Sequence, residues 1–319
     1  MRVLITGVTG FAGRHLAAHC LERGAEVHGA VRVGRAGVAP AGVSAHEVAL
    51  SDPERVRDLL DRVAPDRIFH LAGAASVGRS FGDALATWDG NVGTTVGLLE
   101  ALRASGAAVR TLVVTSGEVY GLVPVDRLPA DADTPLRPAS PYGASKAAAD
   151  LAALQYRQSE GLPILRVRAF NHIGPGQDPR FVLPNVARQI ARAEREGRSE
   201  VVVKVGNVDT RRDFTDVRDM VRAYRLLADA GDPDTLYLAC SGRSLPVRDL
   251  VEGIAPLARL DARVESDPSL RRAGEQPDLY GDNSALARDT GWSPRVPLTT
   301  TLRDTLEHWR ERVADEPPR

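Results

Sequence analysis

The sequence predicts an α/β fold with a doubly wound parallel sheet and a smaller, interleaved C-terminal substrate domain. Short apolar segments alternate with helical patterns through the first half, which is typical of parallel strands joined by crossover helices. Residues 112–115 are apolar without alternation, as expected for a strand that is covered on both faces. The first apolar segment runs directly into three regularly spaced glycines, so we expect a ligand site where the strands end.

Each element follows from its local pattern of apolar residues. The predicted strands of the first half are residues 2–6, 26–31, 67–71, 109–115 and 164–169. The predicted helices between them are residues 11–22, 53–63, 88–104 and 141–160. The second half is predicted to hold helices at 184–196, 216–230 and 298–312, a β segment at 201–205 and a returning strand at 235–238.

Composition excludes several classes of function. The chain has 319 residues and a formal net charge of −1, which gives no strong attraction to nucleic acid or anionic membranes. No apolar run reaches membrane-spanning length, and the first hydrophobic segment is too short for a signal peptide, so we expect a cytoplasmic protein. Cys20 and Cys240 lie far apart without metal-ligand spacing, so we expect reduced thiols and no metal site.

Three glycines follow the first predicted strand at a spacing of three. Gly7 permits a tight turn, Gly10 lets a pyrophosphate approach the backbone, and Gly13 lets the next helix pack on the strand. The N-terminus of that helix supplies free N–H groups to phosphates. The alternative is a glycine turn without a ligand, but the strand before it and the helix after it favour a dinucleotide cofactor.

A change of rhythm after the fifth predicted strand indicates two domains. We expect residues 1–170 with 211–240 to form a Rossmann-type NAD(P)-binding domain. The remaining residues, 171–210 with 241–319, should form the substrate domain. Its first part, residues 171–180, is rich in Gly and Pro, which indicates a functional loop.

Tyr142 and Lys146 form the predicted catalytic pair. They are four residues apart in a predicted helix and therefore share one face. An ammonium beside a phenol favours the phenolate, so we expect the pKa of Tyr142 to fall towards neutrality. The tyrosine could then exchange a proton with a carbonyl oxygen. The alternative is a surface Tyr–Lys pair without a catalytic role.

Two motifs resemble the extended short-chain dehydrogenase/reductase family, also called the NAD-dependent epimerase/dehydratase family. They are TGVTGFAG at residues 6–13 and SPYGASK at residues 140–146. The resemblance implies that Ser116 polarises the substrate carbonyl with Tyr142. It implies that Glu118 matches the base of sugar 4,6-dehydratases, some of which place an Asp where this chain has Gly117. The role of Glu118 stays open between positioning group, acid/base remnant and structural carboxylate.

The residues after the second predicted strand indicate which nicotinamide cofactor the chain prefers. Val31 is followed by Arg32 and Arg35 and by no carboxylate, which favours NADP(H) over NAD(H), unless both arginines are ordinary solvated charges. They lie in a segment, residues 32–42, that we expect to be a flexible loop. The family resemblance implies the full cofactor set: Gly7, Gly10, Phe11, Ala12, Gly13, Arg32, Arg35, Leu50, Asp52, Leu71, Ala72, Gly73, Thr115, Tyr142, Lys146, Phe170, Asn171 and His172.

Residues 168–177 and 204–219 resemble the GDP-6-deoxy-D-mannose reductase family. The resemblance implies NADPH-dependent reduction of the C4 keto group of a GDP-4-dehydro-6-deoxy-hexose to GDP-D-rhamnose. The implied substrate contacts are Ser116, Glu118, Asn171, Arg188, Val205, Arg212, Arg272 and Glu275. Taken singly, each of these arginines could be a solvated charge, and His172 could be a structural histidine.

Other functions remain open at this point. A nucleotide-sugar 4,6-dehydratase of the GDP-mannose type, or a 4-epimerase, would recycle a tightly held cofactor. A cofactor-sensing regulator without catalysis is disfavoured, since Tyr142 and Lys146 are both present. The resemblance also implies a homodimer that pairs helices 88–104 and 141–160.

Overall fold

Seven parallel strands form the central sheet of this computed structural model, which describes residues 1–270 and 276–316. The strands of the chain are β1 (Arg2–Thr6), β2 (Glu26–Val31), β3 (Val43–Glu47), β4 (Arg67–His70), β5 (Arg110–Ser116), β6 (Ile164–Ala169), β7 (Asn171–Ile173), β8 (Glu200–Val205), β9 (Arg211–Arg212), β10 (Phe214–Asp216), β11 (Leu236–Ala239), β12 (Leu245–Pro246), β13 (Asp261–Ser266) and β14 (Asp278–Leu279). The central sheet has the order β11-β6-β5-β4-β1-β2-β3. This order confirms the predicted doubly wound α/β fold.

Helices cover both faces of that sheet and build the second half of the chain. They are α1 (Phe11–Leu21), α2 (Pro53–Val63), α3 (Val77–Ser80), α4 (Ala84–Trp88), α5 (Thr94–Ser105), α6 (Pro141–Glu160), α7 (Val182–Arg195), α8 (Val217–Ala230), α9 (Val247–Glu252), α10 (Ser284–Thr290) and α11 (Leu298–Ala314). Capping side chains set where two of them begin. Asp52 accepts from the amides of Glu54 and Arg55 ahead of α2, and Ser140 accepts from the amide of Gly143 ahead of α6.

Separate apolar clusters hold the layers together. On one face of the sheet, Leu16 of α1 and Met220 of α8 pack against β1 and β6. On the other face, α2, α5 and α6 cover the sheet with residues such as Leu59 and Leu98. A third cluster joins α7, α9 and α11 to β8 in the second half of the chain. Trp292, from the predicted substrate domain, packs into the first cluster. The division of the chain into two domains stays a prediction.

Several segments differ from the predicted elements, among them strand β13, which was not predicted. The predicted helix 88–104 is split, because a π-helical turn at Asp89–Gly93 separates α4 from α5. Edge strand β3 was not among the predicted strands. Its sequence, VSAHE, has no apolar run, and it is only partly buried at the sheet edge. A short 3-10 turn at Ala36–Val38 lies within the loop before it.

Across the two described ranges, no helix combines the length and apolar character needed to cross a membrane.

Candidate active site

The glycine turn after β1 has room for a phosphate group on one side only. Gly7 has a φ of +74°, and a Cβ there would lie 2.8 Å from the amide nitrogen of Ala72. A Cβ at Gly13 would collide with the carbonyl oxygen of Gly7. A Cβ at Gly10 would meet a single neighbour, that same carbonyl oxygen at 3.2 Å. The residues therefore fit a pyrophosphate that approaches at Gly10, beside the N-terminus of α1.

The end of β4 is tied to this turn by a side-chain bond. The backbone N–H of Ala72 donates to Thr6 Oγ1 at 3.2 Å, and Thr6 Oγ1 lies 2.8 Å from His70 Nδ1. Leu71 and Gly73, predicted to line the cofactor, are partly buried on either side of Ala72. A Cβ at Gly73 would collide with Asn91, so only a glycine backbone fits there.

A chain of hydrogen bonds runs from His70 to the catalytic helix. Thr95 Oγ1 donates to the carbonyl oxygen of Asn91, so His70 Nε2 donates to Thr95 at 3.0 Å. Burial lowers the pKa of His70 to about 3, which keeps the ring neutral. Asn91 Nδ2 donates to Ser145 Oγ at 2.8 Å, and Ser145 Oγ donates to the carbonyl oxygen of Tyr142 at 2.8 Å. The π-helical turn thus fixes the first turn of α6.

Tyr142 and Ser116 meet where α6 approaches the end of β5. A Cβ at Gly143 would lie 2.6 Å from the carbonyl oxygen of Glu118, so glycine permits this close approach. The Ser116 side chain lies beside the phenol of Tyr142 and acts to lower its pKa. The Ser116 hydroxyl also accepts the backbone N–H of Glu118 at 3.2 Å. The structure therefore brings the predicted serine, tyrosine and carboxylate together.

The prediction that the pKa of Tyr142 falls towards neutrality is wrong for the groups that the chain itself supplies. Burial is the main cause that raises the pKa of Tyr142 to about 12, and the Glu118 carboxylate contributes in the same direction. The Ser116 side chain opposes this rise only in part. Sequence spacing shows a lysine on the same face, but it does not show desolvation. Tyr142 is therefore a protonated acid at neutral pH.

Lys146 contacts backbone rather than the phenol. Its ammonium donates to the carbonyl oxygen of Val114 at 3.2 Å, and the residue is 8% exposed. Burial lowers the pKa of Lys146 to about 8. A Cβ placed on Gly73 would lie 3.4 Å from Lys146 Nζ, so the ammonium lies beside a residue of the predicted cofactor set.

A small cleft opens at the carboxyl ends of β5 and β6. Its lining residues are Ser116, Gly117, Glu118, Ala169, Phe170, Asn171, Arg212 and Leu279. A Cβ at Gly117 would lie 3.1 Å from three ring atoms of Phe170, so this ring fills the space beside Gly117. Predicted substrate and cofactor residues from distant parts of the chain therefore share one cleft.

Arg212 is rigidly held at that cleft. Its Nη1 donates to the carbonyl oxygens of Arg211 and Gln276, both at 2.7 Å. Such anchoring orders the guanidinium before any ligand arrives, which suits it to a phosphate.

Phe11 and His172 connect the glycine turn to the loop after β6. Their rings stack at 5.7 Å with an interplanar angle of 6°. His172 Nδ1 lies 3.2 Å from the carbonyl oxygen of Phe170, and burial lowers the pKa of the imidazole. Ala12 is partly buried one residue after Phe11, and Leu50 is partly buried against α5. These predicted contacts frame the space beside the turn.

Four predicted ligand contacts have other roles. Asp52 caps α2 and pairs with Arg55 at 3.2 Å, so its carboxylate serves the helix rather than adenine. The Thr115 hydroxyl points into the core, where it lies 3.2 Å from the carbonyl oxygen of Val167. Val205 is buried in the cluster between α7 and β8. Arg188 faces α11: it pairs with Glu316 at 3.1 Å and lies over the Trp309 ring.

The helical phase of α7 explains the position of Arg188. The apolar residues of α7 face the third cluster, and position 188 lies beside that face, next to α11. Arg32 and Arg35 are exposed in the loop after β2, as predicted. Arg272 and Glu275 lie outside the described residues.

Ser145 and Leu279 are among the residues at the site that were absent from the predicted set. Ser145 lies within the SPYGASK motif, which could have indicated it. Its hydroxyl holds the backbone of Tyr142 in place. Leu279 reaches the cleft through the pairing of β14 with β9, which joins residues far apart in sequence. No local pattern at position 279 reports that pairing. Among residues 1–270 and 276–316, no three His, Cys, Asp or Glu side chains form a group suited to a metal ion.

Comparison with known proteins agrees with this arrangement. The sequence profile described as GDP-mannose 4,6 dehydratase matches residues 4–305. The chain belongs to this family. It is 36% identical over 317 residues to GDP-6-deoxy-D-mannose reductase from Pseudomonas aeruginosa, covering 99% of both chains.

Solved structures share this fold. The structure of RMD from Pseudomonas aeruginosa complexed with NADPH has a TM-score of 0.83 at 34% identity, covering 98% of this chain and 99% of that one. The UDP-glucose 4-epimerase of Thermus thermophilus in complex with NAD has a TM-score of 0.85 at 30% identity, covering 97% and 99%. The predicted family resemblance is confirmed. This member of the family is an NAD(P)-dependent enzyme of the extended short-chain dehydrogenase/reductase type.

Proposed function

We propose that this enzyme reduces the C4 keto group of a GDP-4-dehydro-6-deoxy-hexose with NADPH and releases GDP-D-rhamnose. The observation that carries the proposal is the placement of Ser116, which lines the cleft, beside the phenol of Tyr142. Reduction of a ketone needs a proton donor at the oxygen, whereas oxidation of an alcohol needs a base. Tyr142, protonated at neutral pH, can supply that proton.

Each residue has a separate role at the ketone. When bound, the reduced nicotinamide supplies the hydride that C4 receives. Tyr142 donates its phenolic proton to O4, and the Ser116 hydroxyl stabilises the charge that develops on that oxygen. Lys146 keeps a cation on the same helical face, which favours the phenolate left after proton transfer.

Arg212 supports a nucleotide-diphosphate substrate. It lines the cleft with Ser116 and Glu118, and backbone carbonyls hold its guanidinium in place. A fixed guanidinium suits the oxygens of a diphosphate. The choice of guanosine is supported by the name of the Pseudomonas aeruginosa relative, GDP-6-deoxy-D-mannose reductase.

NADPH is the proposed cofactor for two reasons. Arg32 and Arg35 are exposed after the buried end of β2, where a carboxylate would repel a 2′-phosphate. One structural relative was solved with NADPH, although another was solved with NAD.

One observation favours the alternative, a nucleotide-sugar 4,6-dehydratase. Glu118 lines the cleft and acts electrostatically on Tyr142, as a proton-abstracting base would. The contact of Phe170 with Gly117 argues against it, because no side chain at position 117 supplies a proton there. A dehydratase or epimerase regenerates its cofactor, whereas a reductase consumes NADPH with each turnover.

Cofactor stoichiometry tests the proposal. Purified enzyme, NADPH and the GDP-4-keto-6-deoxy sugar should show loss of the reduced-nicotinamide absorbance band, with one NADPH oxidised per product. Tyr142→Phe should lose most of this turnover yet bind NADPH normally, since the ring remains. Conversion of GDP-mannose without net oxidation of NADPH would instead establish the dehydratase.

We also propose a homodimer formed through α3, α4 and α6. Phe81, Leu85 and Leu151 are 63%, 85% and 52% exposed, and Trp88 is 40% exposed. Both α3 and α4 contact α6, so these exposed apolar side chains belong to neighbouring elements. Light scattering should give a dimer mass for the wild type and a monomer mass for Leu85→Asp/Leu151→Asp. A monomeric wild type at micromolar concentration would overturn this.

A reducing cytoplasmic compartment fits the two thiols. Cys20 and Cys240 are both buried and free. Burial raises the pKa of both thiols, so they are poor nucleophiles and resist disulfide exchange.

A further inference from the structure

A buried ionic cluster lies close in sequence to the catalytic pair and to the cleft-lining residues Ser116 and Ala169. Asp150 of α6 is fully buried; its Oδ2 accepts from Arg168 Nη2 at 2.6 Å and lies 3.4 Å from Arg166 Nη1. Its Oδ1 lies 3.4 Å from the hydroxyl of Thr115. Arg168 Nη1 donates to the hydroxyl of Tyr120 at 3.0 Å. None of these contacts is needed for proton transfer itself.

The cluster touches the elements that carry Tyr142, Ser116 and Glu118. Asp150 is one turn beyond Lys146 on α6, and Thr115 immediately precedes Ser116 on β5. Thr115 and Arg168 are register partners on neighbouring strands. Tyr120 ends the turn that begins at Gly117, and its hydroxyl donates to the carbonyl oxygen of Asp131 at 2.7 Å.

Stability alone gives little reason for such a cluster. Burying a carboxylate with two guanidiniums incurs a large desolvation penalty, and apolar side chains of similar volume are often as stabilising. Buried ionic groups are best attested where they fix the register between packed elements. Here the register in question is that of α6 against β5 and β6.

We propose that Asp150 is a positioning residue, which sets the height of α6 so that Tyr142 and Ser116 meet at the substrate oxygen. Through Arg168 and Tyr120 it also fixes the turn that carries Glu118. The inference rests on the proposed function only in its use of Tyr142 as the proton donor. Displacing a catalytic group by about 1 Å can reduce turnover by about 100-fold.

Asp150→Asn leaves two buried guanidiniums without a counter-ion, so this variant alone could fail to fold. The double variant Asp150→Asn/Arg166→Met keeps the net charge of the cluster and removes the carboxylate. We expect it to bind NADPH as the wild type does and to keep the substrate KM, with kcat reduced 10- to 100-fold. Tyr120→Phe, which leaves all buried charges in place, should lower kcat by a smaller factor at unchanged KM.

The matched control is Glu194→Gln, which disrupts the Glu194–Arg310 ion pair between α7 and α11. It should lower the melting temperature and leave kcat unchanged. Wild-type kcat in folded Asp150→Asn/Arg166→Met and in Tyr120→Phe would overturn the proposal, as would equal kcat losses in the control. If the wild type rejects the keto sugar, the proposed function fails, and the same kcat ratios are then measured with GDP-mannose or a UDP-hexose.

Discussion

The ammonium of Lys146 donates to the carbonyl oxygen of Val114 at 3.2 Å. Burial alone lowers the pKa of this lysine to about 8, so no carboxylate offsets the loss of its hydration. Below that pH the folded protein carries a desolvated charge, which costs free energy of folding. The site therefore retains an unfavourable cation that its proposed chemistry requires.

Removing that charge should stabilise the protein and abolish turnover. At pH 7 we expect Lys146→Met to raise the free energy of unfolding by about 1–3 kcal/mol, the lost backbone hydrogen bond offsetting part of the gain. The folded-state pKa of about 8 lies below the ordinary 10.5, so the unfolded chain binds more protons between these values. The gain is thus complete below about pH 8 and fades as the pH rises towards 10.5.

Urea unfolding at several pH values measures this gain. The other lysine of the chain, Lys204, is exposed on β8 and supplies the control. Lys204→Met should change stability by less than about 0.5 kcal/mol at any of these pH values. A Lys146→Met protein less stable than the wild type at pH 7 would contradict the argument.

Two glycines of one turn should respond differently to a methyl group. Gly10 has a φ of −76° and open space beyond a single contact at 3.2 Å, so Gly10→Ala should keep the wild-type melting temperature. Its methyl group points where the pyrophosphate approaches, so the Kd for NADPH should rise at least about tenfold. Gly13→Ala collides with the Gly7 carbonyl and should lose about 1–3 kcal/mol of stability. Thermal unfolding and fluorescence titration with NADPH separate the two effects; equal effects would refute the turn geometry.

Local patterns predicted the regular elements because local physics forms them. The ends of α2 and α6 are set by Asp52 and Ser140, whose capping chemistry is legible in sequence. The π-helical turn that places Asn91 was not predicted, since it depends on packing against α6. Residue types predicted the side chains that line the cleft more accurately than they predicted the protonation state of Tyr142. The pKa of Tyr142 depends on burial, which no spacing rule reports.

Arg212 and Arg188 should separate ligand binding from stability. Arg212 lines the cleft, so Arg212→Met should raise the KM for the nucleotide sugar by about 10- to 100-fold. Arg188 pairs with Glu316 near the end of the chain, so Arg188→Met should keep KM within about twofold and lose about 1 kcal/mol of stability. Steady-state kinetics and urea unfolding of both variants provide the measurement. A large KM increase in Arg188→Met would restore this arginine to the substrate site.

The loop after β2 should decide between the two nicotinamide cofactors. Arg32 and Arg35 are exposed there, and each could form a charge-assisted hydrogen bond with a 2′-phosphate. Arg32→Ala/Arg35→Ala should therefore raise the Kd for NADPH by about 10- to 100-fold and leave the Kd for NADH within about twofold. Arg303, exposed on α11, supplies the control substitution to Ala. Calorimetric titration with both nucleotides measures the ratio, and equal losses for NADPH and NADH would show that these guanidiniums do not recognise the phosphate.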